Sequence, residues 1–162
     1  TLTAGLIHAG GTYFSDEIAL LDGELAVSPV PLSLTVKDGA LAALRLRYPS
    51  LDTLTTHVRE DHVRVRYLPP PPASMPNPDV RESVRWIVFP KYAPQAETKI
   101  TPIERPAALK RLLEESFLYR QRLERANVES LVKWMRGVEC YDLTVSTLDT
   151  AVSTLRTLMG RA

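Results

Sequence analysis

The apolar residues of this chain change their repeat near Pro106, and that change restricts the fold more than any other feature. Upstream, Leu32 to Val36 and His62 to Tyr67 alternate apolar and polar residues, the period of a half-buried strand. Trp86-Ile-Val-Phe89 is a short continuous apolar run, as in a buried strand, with Pro90 behind it as a stop. Downstream, Leu109, Leu112, Leu113 and Phe117 recur at helical spacing. So do Leu131, Val132, Trp134 and Met135, and then Leu148, Val152, Leu155 and Met159. Strands first and helices last imply an α/β or α+β chain around one core.

Local signals place the elements. Thr1 to Ala9 reads as a helix stopped by Gly10-Gly11. Thr12 to Phe14 is a short β-prone run, and Ile18 to Leu21 an apolar strand. Asp22-Gly23 is a strong hairpin signal, with Leu25 to Val27 as the returning strand. Ala40 to Leu46 reads as a short helix. Within His62 to Tyr67, the alternation turns Val63, Val65 and Tyr67 to a core and His62, Arg64 and Arg66 to water or a ligand. Six prolines between Pro69 and Pro78 dictate an extended loop. Pro106 suits a first helical turn, Asn127 a helix cap, and Val138 to Val145 a last strand. Ser146-Thr-Leu-Asp149 has the form of a capping box before the last helix.

Composition excludes several classes of function. With 20 Lys and Arg against 19 Asp and Glu, the chain lacks the positive balance of a protein that binds nucleic acid by bulk charge. No run approaches the roughly 18 apolar residues of a transmembrane helix, so no membrane partner is expected. Cys140, the single cysteine, excludes an intrachain disulfide and a multi-cysteine zinc site and fits a reducing, cytoplasmic setting.

Chemistry is most readable between Tyr13 and Leu21, where Asp16 and Glu17 stand at the junction of two β-prone runs. A carboxylate so placed can hold Mg²⁺ or take the proton of an attacking hydroxyl. Taken alone, such a pair in a turn is more often simply solvated. Other candidates have plain structural readings. His8 suits the end of the first helix, and His57 and His62 lack a third metal ligand. Cys140, Trp86 and Trp134 lie in apolar patterns typical of a core. Arg64 and Arg66 form either a solvated strand face or a face for an acidic peptide or phosphate. Gly10-Gly11 lacks the spacing of a P-loop.

The order of these segments resembles the HPr serine kinase/phosphorylase-like family. That family carries a P-loop, a helix, a Tyr-x-Ser-Asp-Asp strand and a Pro-x-Pro strand with a lysine. Here the order is a helix, Tyr13-Phe-Ser-Asp-Glu17, Pro29-Val-Pro31 and a strand ending in Lys37. Trp86 to Pro90, Ile103 to Leu109, Gly137 to Leu143 and the helix from Leu148 resemble the family's later segments, so the likeness spans almost all of residues 1–162. Glu17 stands where the family has its second Asp, keeping the charge and adding a methylene.

The resemblance implies a P-loop kinase-like mixed sheet with flanking helices, as one HPr kinase-like domain over residues 1–162. Thr1-Leu-Thr looks like the residues just behind a Gly-Lys-Ser, so the phosphate cradle and the first strand are expected upstream of Thr1. The resemblance further implies an ATP- and Mg²⁺-dependent kinase acting on a serine of a protein or peptide. Asp16 would be the catalytic base and a metal ligand, Glu17 a metal ligand, and Lys37 a contact to phosphate or substrate. HPr kinases form hexamers, so a homo-oligomer is compatible with it. Two alternatives share the fold: a non-catalytic peptide-binding pseudokinase, and a phosphorylase or phosphatase acting on phosphoserine.

Overall fold

A computed structural model describes residues 1–116 and 124–160. Among them the chain is mixed α and β, with five helices and three small sheets, an α+β arrangement. The described residues separate into two compact units. The first holds Thr1–Asp22, Val27–Glu82 and the C-terminal stretch from Thr147; the second holds Gly23–Ala26 and Ser83–Ser146. The sequence reading expects one core, whereas two clusters of buried apolar side chains are found.

In the first unit, α1 (Leu2–His8) ends as its glycines require. Gly10 takes φ +96°, and the amides of Gly10 and Gly11 turn back to Ile7 and Leu6 carbonyls, both at 2.9 Å. Thr12 to Phe14 is not a strand. Instead Tyr13 is buried, its amide donating to Ser74 O at 2.8 Å and its hydroxyl to Leu32 O at 2.8 Å. The Asp22-Gly23 hairpin forms, with antiparallel β1 (Leu20–Leu21) and β2 (Ala26–Ser28). Its loop is longer than the two-residue form, and the left-handed residue is Leu25 (φ 62°) rather than Gly23. The run from Ile18 contributes only its last two residues to a strand, and Ile18 and Leu20 are exposed.

β3 (Leu34–Lys37), β4 (His57–Val58) and β5 (Arg64–Leu68) form a sheet in the order β3-β5-β4, all neighbours antiparallel. Leu34, Val36, Val65 and Leu68 are buried, as alternation on β3 predicts. On β5 the pattern shifts, because Leu68 turns inward while Tyr67 remains 44% exposed. The stretch expected as a helix over Ala40 to Leu46 is a 3₁₀ turn, Asp38–Ala40, followed by the single turn α2 (Leu41–Leu44). The proline segment after β5 carries a 3₁₀ turn at Pro72–Ser74, with extended backbone at Pro71 and Met75 on either side, and a second turn closed by the Val80 amide on Asn77 O.

The last helix, α5 (Leu148–Met159), packs against α1. Its cap is Thr147, whose hydroxyl accepts from the Thr150 amide at 3.3 Å, so the cap falls one residue after Ser146. Burial joins Ala4, Ile7, Tyr13, Leu34, Val36, Leu44, Tyr48 and Leu51 into one cluster. The Tyr48 hydroxyl donates to Ala4 O at 2.8 Å, and Arg47 pairs with Asp149.

A two-residue strand, β6 (Glu82–Ser83), lies where the chain enters the second unit. There β7 (Trp86–Tyr92), β8 (Lys99–Pro102) and β9 (Glu139–Val145) form a sheet in the order β7-β9-β8. β7 runs parallel to β9 and β8 antiparallel to it. β7 continues through Pro90 instead of stopping there, because it is an edge strand and proline's missing N–H costs nothing on an open edge. β8, also an edge, carries no sequence signal strong enough to find it.

α3 (Arg105–Glu115) has Pro106 in its first turn, as expected. α4 (Arg125–Met135) begins earlier than Asn127, with Glu124 at the cap position. Phe117, the last apolar position read for the α3 pattern, lies outside the described residues. Ala108, Met135, Val138 and Cys140 form the second cluster, flanked by Ile87, Phe89 and Trp134. Cys140 and Trp134 thus take the core roles that their apolar patterns predict, and Trp86 is half-buried at the start of β7.

Candidate functional site

Asp16 and Glu17 line a cleft of about 460 Å³ in the first unit, with Tyr13, Ser15, Ile18, Leu32, Ser33, Thr35, Arg59 and Tyr67 around them. Its construction follows from β3. An edge strand leaves backbone amides pointing away from its sheet, and Thr35 is such a residue. Its amide donates to Asp16 Oδ2 at 3.0 Å, and its hydroxyl donates to Glu17 Oε1 at 2.9 Å. The turn holding the carboxylates is fixed at both ends. Tyr13 is buried before it, and the Ile18 amide donates to Ser15 Oγ at 3.3 Å after it.

The electrostatics are those of an acidic cleft with one cation. Burial pushes the Tyr13 phenol above its ordinary value of 10.0, and the charges of Asp16 and Glu17 push the same way. A backbone hydrogen bond from Asp16 pulls it back in part. The phenol therefore stays protonated and keeps donating to Leu32 O. Arg59 supplies the positive charge, 3.3 Å from Asp61. The walls are apolar and open to solvent. Leu32 is 67% exposed, Ile18 is also exposed, and the Tyr67 ring leans against His57 with centroids 5.3 Å apart.

The candidate residues divide accordingly. Asp16 and Glu17 come together. Lys37 sits exposed at the end of β3, on the same face of that strand as Thr35, and is not among the residues lining the cleft. Arg59, Thr35 and Tyr67 enter the site without a sequence motif. Arg59 lies in a polar turn next to a strand too short to read, and Thr35 carries no mark beyond its place in an alternation. Arg64 and Arg66 both reach Asp38, at 2.9 and 3.5 Å, so this strand face is partnered from within the chain. His8 stacks edge-on against Tyr48, with ring centroids 5.7 Å apart.

As a metal site the cleft offers two carboxylates, each with one oxygen bonded to Thr35. Among the described residues no group of three or more His, Cys, Asp or Glu side chains is gathered in a way that could hold a metal by itself. Two carboxylates fit Mg²⁺, which keeps most of its shell as water and substrate phosphate, and do not fit a structural zinc. No helix among the described residues is long and apolar enough to cross a membrane. Neither protein-family models, nor curated proteins, nor solved structures give a match to this chain.

Proposed function

We propose that the Asp16–Glu17 cleft is the acceptor side of a phosphoryl-transfer site acting on a serine hydroxyl of a protein or peptide. The observation that supports this most is the convergence of both carboxylates on Thr35 in an open cleft that also contains Arg59. Transfer of a phosphoryl group is mostly positioning and charge neutralisation, so few protein groups are needed on the acceptor side. Asp16, oriented by the Thr35 amide, takes the serine proton as oxygen bonds to phosphorus and the bond to the leaving diphosphate breaks. Arg59 offsets negative charge on the incoming phosphate. Asp16 and Glu17 would hold Mg²⁺, which supplies neutralisation of phosphate charge when bound.

On this reading ATP is the donor and a P-loop kinase-like fold carries the site. Arg59 is the cation that lines the cleft, whereas Lys37 stands exposed at the end of β3 and does not line it. The test is transfer of labelled γ-phosphate from Mg-ATP to serine peptides by the full-length protein. Activity in the wild type that disappears in Asp16→Asn supports the proposal. Equal activity in both removes Asp16 from the mechanism, and phosphate release from a phosphoserine peptide would assign the reverse direction.

A second reading, a non-catalytic peptide-binding domain, draws on the same hydrogen bonds. Both carboxylates already have a partner in Thr35, as anchoring groups would. Peptide binding with no transfer in either direction would favour it.

A further inference from the structure

The sheet of the second unit carries a second arrangement of charge, remote in kind from the carboxylate cleft. Thr144 of β9 is paired with Lys91 of β7 on one side and with Lys99 of β8 on the other. Residues paired across a sheet share a face, so Lys91, Thr144 and Lys99 form one row on one face. The row below it on that face is Phe89, Asp142 and Thr101, and below that Ile87 and Cys140 are paired.

The lower rows are satisfied. Ile87, Phe89 and Cys140 pack in the cluster with Ala108 and Met135. Arg111 of α3 lies 3.9 Å above the Phe89 ring and 2.5 Å from Asp142. The top row differs. Lys91 and Lys99 are exposed, and neither makes an ion pair among the described residues. Glu97, on the segment joining β7 to β8, pairs with neither.

Two strand spacings put the lysine backbones roughly 10 Å apart, with the Thr144 hydroxyl midway. Both ammonium groups, on long flexible stems, can swing over that hydroxyl to meet a single anion. Their mutual repulsion is relieved when a dianion lies between them. The row also stands at the carboxyl ends of the parallel pair β7 and β9, the side of such strands where α/β proteins bind ligands.

We propose that Lys91, Thr144 and Lys99 form a binding site for a phosphate group. The group can be free, carried by a nucleotide or carried by a phosphorylated side chain, since the row reads only the dianion. This site does not depend on the phosphoryl-transfer reading of Asp16.

The lysines have a competing structural role, because charged residues on edge strands prevent pairing with other sheets. The experiment separates the two. Amide chemical shifts of the full chain are followed while inorganic phosphate, ADP or phosphoserine is added, in the wild type, in K91Q/K99Q and in Thr144→Val. Light scattering of each variant is recorded alongside. The expected result is saturable shifts confined to the Lys91, Thr144 and Lys99 rows. The dissociation constant should rise at least tenfold in K91Q/K99Q and severalfold in Thr144→Val. A control variant, K110Q/K133Q, should match the wild type. A preference among the three probes identifies the carrier of the phosphate. Unchanged phosphate binding in K91Q/K99Q overturns the proposal, and if that variant also self-associates, edge protection is the lysines' role. Shifts spread evenly over all basic residues overturn it too.

Discussion

Asp16 Oδ2 accepts the backbone N–H of Thr35 at 3.0 Å, joining two residues 19 apart in sequence. The bond binds the carboxylate turn to an edge strand and gives that strand's outward amide a partner. Asp16 therefore has a structural duty whatever its chemistry, and substitutions that separate the two are informative.

Asp16→Asn keeps an acceptor oxygen for the Thr35 amide and removes the base proposed for the transfer. Stability in chemical denaturation should stay close to wild type, while phosphoryl transfer by the full-length protein falls by about 10²–10⁴-fold. Asp16→Ala should lose the same activity and also about 1–3 kcal/mol of stability, because the half-buried Thr35 amide is left without its acceptor. Equal denaturation midpoints for the two variants would remove the structural duty.

Thr35→Val removes the hydroxyl held by Glu17 and keeps the amide held by Asp16. The Glu17 bond is exposed, so the cost in stability should be within about 0.5 kcal/mol. Transfer at saturating Mg²⁺ should change only a few-fold, while the Mg²⁺ concentration needed for half-maximal rate rises. An unchanged Mg²⁺ requirement would exclude Glu17 from metal binding.

Gly5→Ala should destabilise the protein, against the usual preference for Ala over Gly in a helix. A Cβ there would lie 2.7 Å from Leu148 Cδ1 and 2.9 Å from Val152 Cγ2 on α5. Leu148 can swing aside, but Val152 is branched at Cβ and has little freedom in a helix. Overpacking of this kind costs about 1–3 kcal/mol, which exceeds the propensity gain of up to about 1 kcal/mol. Thermal melting measures the sign directly.

Alkaline pH should unfold the chain through Tyr13 and Tyr48. Burial pushes both phenols above 10.0. For Tyr48 the nearby Arg47 charge and a backbone hydrogen bond oppose the rise. A raised folded-state value means the folded state binds the proton more tightly. That stability is fully present below pH 10 and is lost as the pH climbs through the folded-state values. Denaturation midpoints should stay level in this respect up to about pH 9–10 and then fall. Tyrosinate absorbance should show two groups titrating late, and Asp16→Asn should bring Tyr13 closer to 10.0 by removing one of the charges that raise it.

Several features could be read from local sequence because their causes are local. Gly10 ends α1 through its own left-handed conformation, and Pro106 starts α3 because a first turn needs no N–H from it. The alternation on β3 buries Leu34 and Val36 as read. Asp16 and Glu17 are a visible pair in sequence, and they do line one cleft. Other features depend on what lies beside a residue. Pro90 looks like a strand end and is strand interior, because β7 is an edge. Tyr67 carries the alternation of a core residue and is a cleft wall, because Leu68 takes the inward position. Arg64 and Arg66 fit either a solvated face or a ligand face in sequence, and only the fold brings Asp38 within reach of both.

The sequence by itself determined the class of this protein: a mixture of helices and strands, with a glycine stop, a hairpin and a carboxylate pair. Each follows from the period of apolar residues or from the character of one or two adjacent residues, and none needs knowledge of distant neighbours. Tertiary structure alone decided that the buried side chains form two clusters, that Thr35 holds both carboxylates, and that Lys91 and Lys99 flank Thr144. These are pairings between segments far apart in the chain. Strand order and register fix them, and no short stretch of residues encodes either.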